Sequence, residues 1–307
     1  MEHLKKSMEA LRSFLAAPSM AALVSKITVY GRMIKFSHTI FALPFALSAV
    51  ILASREHPLT FGTVFFILLA MVGARSAAMG FNRLVDAGFD AKNPRTMMRE
   101  IPAGLLSRDS AVTFVALSSL LFVFSAAMLG WTCFILSFPV LVLLFFYSYT
   151  KRFTAYCHLY LGFAISLAPL GAWVAVTDSL SASIFLLSIA LLTNIAGFDI
   201  LYACQDTEFD KEQGLFSIPS HLGIPKALTL SSLLHGVTFA CFVLMSVAFD
   251  LGAAYLVAVL IIGVLLVIEH MLVKPDDLKH VHIAFFHINS ILSVVLLAGI
   301  LIDVWIS

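Results

Sequence analysis

Residues 61–90 read FGTVFFILLAMVGARSAAMGFNRLVDAGFD. The run opens with Phe61–Met79, which is apolar apart from Arg75 and close to the ~20 residues a helix needs to cross a bilayer. It closes with Asn82-Arg83-Leu84-Val85-Asp86-Ala87-Gly88-Phe89-Asp90. There one amide and two carboxylates stand at i, i+4 and i+8, and so keep to one helical face. A second acidic cluster, Asp206-Thr207-Glu208-Phe209-Asp210, repeats the aspartate spacing at an offset of 120 residues. An oily chain that gathers its few carboxylates at two helix ends is suited to hold a cation there, and a divalent metal is the first candidate.

Outside this stretch the same character continues. The 307 residues are 61% hydrophobic and 12% charged, with a mean hydropathy of +1.00. Soluble domains carry about 25% charged residues, so that class is excluded. The apolar runs are continuous rather than alternating, which excludes a membrane β-barrel. The expected fold is all-α, a polytopic membrane protein of nine transmembrane helices. They centre on 39–53, 61–79, 112–128, 133–147, 159–176, 184–197, 228–249, 255–267 and 283–301, with Pro44 interrupting the first. One transmembrane domain, 36–307, follows an N-terminal segment, 1–35. In that segment Leu4, Met8, Leu11 and Leu15 form one stripe beside Lys5, Lys6 and Arg12. This reads as a surface-lying helix or as a mobile tail, and not as a cleavable signal peptide. Cys133, Cys157, Cys204 and Cys241 fit no metal spacing and are expected to pack.

The net charge of +1 hides an asymmetry. With nine spans, Arg55 is the only Lys or Arg in the loops opposite the N-terminus. The positive-inside rule then puts the N-terminus and both acidic clusters in the cytoplasm, in a multi-pass protein of the cytoplasmic (inner) membrane. A similar loop comes after each cluster: Ile101-Pro102-Ala103-Gly104 after the first and Ile218-Pro219-Ser220-His221-Leu222-Gly223 after the second. The pattern is that of two four-helix repeats plus one helix, with equivalent loops converging on one membrane face.

Asn82, Asp86, Asp90, Asp206 and Asp210 form a hard-oxygen set that suits Mg²⁺ better than Zn²⁺ or copper. Arg95 and Arg99 follow the first cluster, and Lys211 adjoins the second. Acids and bases so mixed either neutralise one another on a solvated surface or work together. In the second case carboxylates grip a metal, the metal grips a phosphate, and the cations grip the remaining phosphate oxygens. Asp199 and Tyr202 lie on the same helical stripe as Asp206 and Asp210, which puts Asp199 within the membrane, where a carboxylate is costly. Arg75, seven residues before Asn82 on the same face, needs an acid or a bound anion. A helix-to-helix ion pair is the alternative for both. Tyr147 through Arg152 reads either as an interfacial anchor or as a wall of the same site, with Arg152 open to an anionic acceptor. His38 is either a cavity residue or interfacial filler. His280, His282 and His287 lack the acidic or thiolate partner that zinc would need.

Together these motifs resemble the UbiA superfamily of intramembrane prenyltransferases. Asn82-x-x-x-Asp86-x-x-x-Asp90 with Arg95-Thr96-x-x-Arg99 is similar to its first signature. Asp199-x-x-Tyr202-x-x-x-Asp206-x-x-x-Asp210 with Lys211 and Ser217 is similar to its second, and Lys151-Arg152-Phe153-Thr154 to the segment after its fourth helix. Arg83 departs from the pattern, since many relatives carry an Asp there. The resemblance implies that Asn82, Asp86, Asp90, Asp206 and Asp210 hold Mg²⁺ on a polyprenyl diphosphate. It implies that Arg95, Arg99 and Lys211, with Lys151 and Arg75, steady the diphosphate. Asp199, Arg152 and Tyr202 would orient an aromatic acid acceptor or take up its proton. Residues 34–45 and 204–210 look like the bacterial quinone branch, which prenylates 4-hydroxybenzoate or 1,4-dihydroxy-6-naphthoate in ubiquinone or menaquinone biosynthesis; the naphthoate is favoured. The lipid bilayer is the expected surrounding, and no nucleic-acid partner is expected. The rivals are a secondary transporter with a cytoplasmic ion site, and an alcohol phosphatidyltransferase, whose differently spaced motif is not found.

Overall fold

The computed structural model describes residues 20–306. The stripe Leu4, Met8, Leu11 and Leu15 therefore lies outside the described residues. Helix α1 (Met20–Met33) is followed by Lys35, whose backbone is left-handed (φ 50°, ψ 56°), and a 3₁₀ turn (Phe36–Phe41) leads into α2 (Leu43–Ala53). Pro44 does not break this span. It occupies the first turn of α2, where its missing N–H has no intrahelical partner to lose. Helix α3 (Phe61–Asp90) is capped by the Thr60 hydroxyl, and α4 (Arg108–Leu129) by the Ser107 hydroxyl. Then come α5 (Trp131–Thr150), α6 (Cys157–Thr177) and α7 (Ala182–Ala203). Short helices α8 (Thr207–Glu212) and α9 (Ile218–Leu222) connect to α10 (Ile224–Ala248) and α11 (Ala253–Leu272). A π-helical turn (Ile283–Ile288) opens α12 (Asn289–Ile306).

Among the described residues, eight helices are long and apolar enough to span a membrane, and nine if the pair Ile27–Met33 and Ser37–Ala53, bent by 48°, is one span. The chain is a multi-span membrane protein. Helix α3 has 30 residues, about 45 Å at 1.5 Å per residue, whereas the hydrocarbon core is about 30 Å thick. Its last turns, which carry Asp86 and Asp90, therefore reach past the hydrocarbon.

The repeat is visible in the packing. α3 lies along α4 and α7 along α10, the two most extensive helix pairs. A Cβ on Gly73 would sit 2.7 Å from the backbone nitrogen of Phe122, so only glycine lets α3 and α4 approach this closely. Both Ile-Pro loops end in a glycine of positive φ: Gly104 at 72° and Gly223 at 81°. Helix α7 runs through the centre. Of the most apolar window of the span containing it, 72% is buried, against 11–44% for the other spans. Around it Phe45, Leu187, Leu191, Ile195, Phe242 and Tyr255 form the main core. The helix that leads into the second acidic cluster is thus in the most buried of the described spans.

Candidate active site

The C-terminal ends of α3 and α7 meet. Arg95, in the loop after α3, donates from Nε to Asp206 Oδ1 at 2.9 Å and from Nη2 to Asp206 Oδ2, forming a forked pair. Its Nη1 donates to the Tyr202 hydroxyl at 2.7 Å, and Asn93 Nδ2 donates to Asp206 Oδ1 at 3.2 Å. Burial alone would lower the Arg95 pKa, but the hydrogen bond and charge of Asp206 outweigh it and the net shift is upward. Two residues 111 positions apart, one from each motif region, are therefore joined by one guanidinium.

The cavity between them is lined by seven Lys or Arg side chains (Lys35, Arg75, Arg83, Arg95, Arg99, Lys151 and Arg152) and by Asp86, Asp90, Asp199 and Asp206. Arg99 Nη1 donates to both oxygens of Asp90, at 2.7 and 2.8 Å. Arg152 Nη2 lies 3.7 Å from Asp86 Oδ1 and donates to the Val85 carbonyl at 2.9 Å. Lys151 Nζ reaches Asp210 Oδ1 at 2.7 Å; Asp210 is fully buried and stands behind the cavity wall. Even with Asp210 counted, cations exceed carboxylates by two. The Lys35 ammonium is held below its ordinary pKa, by burial first and then by the charges of Arg83 and Arg99. A cavity with this surplus is made for an anion.

Arg75 points the same way most strongly. It lines the cavity, donates from Nη2 to the Lys35 carbonyl at 3.0 Å, and leaves Nε without a partner. Among the described residues no carboxylate pairs with it, so the helix-to-helix ion pair weighed from the sequence does not form. Asp199 has a partner: its Oδ2 lies 2.6 Å from His158 Nδ1. His158, Asn93 and Lys35 were missed by sequence reasoning. No spacing rule links His158 to a residue 41 positions away. His38 does line the cavity, against the rings of Phe41, Phe285 and Phe286. Lys211 is not brought in. It is exposed and bonds Glu208 at 3.1 Å, on the outer face of α8.

A second, apolar cavity adjoins the first, sharing Arg75, Met79, Asn82, Tyr147, Leu161 and Ile165. It follows the small-residue face of α3 (Ala78, Ala74, Ala70) as far as Ile67, about 22 Å from Asn82 along the helix. Asn82 Nδ2 donates to Asp86 Oδ2 at 2.8 Å at the junction.

The oxygen donors Asn82, Asp86, Asp90 and Asp206 fit a hard cation. Among the described residues no three acid, His or Cys side chains converge into a ready cage. Mg²⁺ needs none, because it binds through one or two carboxylates together with substrate phosphates.

Known proteins share this sequence pattern and fold. The model of the UbiA prenyltransferase family matches residues 42–291. The 4-hydroxybenzoate octaprenyltransferase of Vibrio atlanticus (strain LGP32) is 30% identical over 288 residues, 92% of this chain and 100% of that one. The apo structure of a UbiA homolog from Aeropyrum pernix K1 superposes with a TM-score of 0.79 at 31% identity, covering 87% of this chain and 98% of that one. A UbiA homolog from Archaeoglobus fulgidus, bound to GPP and Mg²⁺, has the same fold at 18% identity, with a TM-score of 0.71 over 90% of this chain and 99% of that one. Sequence, fold and the meeting of two acidic helix ends thus lead to one conclusion: the chain belongs to the UbiA prenyltransferase family.

Proposed function

We propose that the protein transfers a polyprenyl group from a polyprenyl diphosphate to a hydroxyaromatic carboxylic acid, with Mg²⁺, at the cytoplasmic face of the inner membrane. The observation that carries this reading is the cation-rich cavity, closed by Arg95 on Asp206, that runs directly into an apolar channel. A diphosphate suits the first part and an isoprenoid chain the second. The Vibrio relative named above acts on 4-hydroxybenzoate by name, which supports that acceptor more than the dihydroxynaphthoate favoured from the sequence. Both acids carry the hydroxyl and carboxylate the site would use.

Asn82, Asp86, Asp90 and Asp206 would hold Mg²⁺, with Asp210 behind them. Bound there, the metal supplies neutralisation of the charge that develops on the leaving diphosphate. Arg95, Arg99 and Lys151 hold the diphosphate oxygens and stabilise the same charge as the allylic C–O bond opens. Arg75 and Arg152 remain for the acceptor's carboxylate or a diphosphate oxygen. The apolar wall keeps water from the allylic carbon. A ring carbon of the acceptor then bonds that carbon, and Asp199 takes the acceptor's hydroxyl proton.

The test is purified protein in liposomes with geranyl diphosphate or a longer homologue, Mg²⁺, and a panel of hydroxyaromatic acids. Diphosphate release that needs both the metal and one of the acids is expected. No release with any acid of the panel, accompanied by solute uptake into the liposomes, would instead establish the transporter.

A further inference from the structure

We infer that His158 positions Asp199 for the acceptor's proton, donating Nδ1–H to one carboxylate oxygen and leaving the other for the substrate. The inference rests on the prenyl-transfer reading above and extends it to a residue that no motif contains.

The pair is layered. The His158 side chain is 3% exposed and that of Asp199 21%, with 2.6 Å between Nδ1 and Oδ2. Asp199 therefore fronts the cavity and His158 backs it. The tautomer is set by the other ring nitrogen. The backbone N–H of Ile218 points at His158 Nε2 from 3.4 Å, so Nε2 accepts and a neutral ring carries its proton on Nδ1, toward Asp199. Ile218 is itself buried and begins α9 beneath the Ser217 cap. Neighbouring bonds fix the same loop: Phe216 N–H donates to the Lys151 carbonyl at 2.8 Å, and Cys157 Sγ lies 3.6 Å from the Phe216 carbonyl. The imidazole is thus located by three segments of chain, and it locates the carboxylate.

The partner's chemistry sets Asp199 apart. Asp90 and Asp206 are each hydrogen-bonded to an arginine, while Asp86 accepts from Asn82 and has Arg152 3.7 Å away. Among the described residues lining the cavity, Asp199 is the one acid that faces an imidazole instead. A carboxylate locked to a guanidinium is a poor proton acceptor, because the fixed positive charge favours its ionised form. One hydrogen bond from a neutral imidazole orients the group and leaves it able to take a proton.

The step balances. The C–O bond to diphosphate breaks and the electron pair leaves with it. The acceptor's ring carbon bonds the allylic carbon while the hydroxyl proton moves to Asp199. The ring C–H proton is then lost to water as aromaticity returns, and Asp199 hands its proton back to the oxygen. One proton is released per turnover, and His158 stays neutral throughout.

The experiment uses the full chain in liposomes with Mg²⁺ and geranyl diphosphate. The acceptor is the hydroxyaromatic acid that the wild type prenylates, compared with a ring-fluorinated analogue whose hydroxyl is more acidic. For His158→Ala, kcat is expected to fall on the order of 30- to 100-fold, with KM for geranyl diphosphate within about threefold of wild type. His158→Gln, whose amide still donates, is expected to recover about tenfold of that loss. Both deficits shrink on the fluorinated acceptor, which gives up its proton more readily. Deficits equal on the two acceptors, or a parallel loss of geranyl diphosphate binding, would show a merely structural residue and overturn the inference; so would an unchanged kcat. If His158→Ala does not assemble, His158→Gln on the two acceptors decides by the same comparison. A wild type that prenylates neither acid overturns the prenyl-transfer reading itself, and this inference with it.

Discussion

Arg95 makes three bonds across the molecule, to both oxygens of Asp206 and to Tyr202, and two of its five N–H groups remain for a ligand. Replacing it with alanine leaves Asp206 beside Asn93 alone. Arg95→Ala is expected to lower kcat/KM at least about a hundredfold, or roughly 2.7 kcal/mol, measured as acceptor-dependent diphosphate release. Arg95→Lys recovers little, since a single ammonium cannot reproduce the fork. Asp206→Asn is expected to abolish turnover while the unfolding temperature in detergent holds; a collapse of the fold would make the pair structural. At this scale the sequence singled out residues and not whom they touch. The i, i+4 spacing of the aspartates was legible, whereas a contact across 111 residues was not. Lys211 shows the opposite failure. Adjacent positions on a helix diverge by about 100°, so with Asp210 facing inward its neighbour faces out.

At the scale of elements, hydropathy located every span among the described residues, but not the irregular turn that opens α12. Asn289 Nδ2 donates to Glu269 Oε1 at 2.8 Å and to the carbonyls of Ala284 and Phe285 at 3.1 and 3.3 Å. Those carbonyls belong to the π turn, and the side chain answers groups that regular helix would have satisfied. The turn aims Phe285 at the cavity, where its ring packs 4.3 Å from that of Tyr202. Asn289→Leu would remove the amide that donates to the fully buried Glu269 carboxyl group and to two carbonyls. It is expected to destabilise the protein by on the order of 3 kcal/mol, read by thermal unfolding in detergent. A loss below about 1 kcal/mol would show that the turn holds without its side chain. No periodicity announces such a turn, because an apolar run reads alike in α and π geometry. Pro44 was legible as a residue and misleading as a break, since whether proline ends or begins a helix depends on the dihedrals before it.

For the whole molecule, composition and the repeated acidic spacing carried the fold, because burying a backbone in lipid leaves few solutions. The two clusters had to share a membrane face for their sites to merge, and the Arg95–Asp206 pair shows that they do. Which side of the membrane they face is a separate matter, and the lysine and arginine distribution predicts the cytoplasm. A cysteine at Met98, which is exposed in the loop after α3, is expected to react with an impermeant maleimide in inverted vesicles but not in spheroplasts. One at Glu56, in the opposite loop, should show the reverse. Labelling of Met98→Cys from outside the cell would invert the topology.

The length of α3 has one more consequence. A helix some 15 Å longer than the oil it crosses sets its carboxylates beyond the hydrocarbon and its alanines within it, on one rod. Reagents of opposite solubility can then meet without either leaving the phase that dissolves it. On the proposed reaction a salt-like acid would arrive from the aqueous side and a greasy donor from the lipid, and the rod would serve as a fixed ruler between two immiscible solvents.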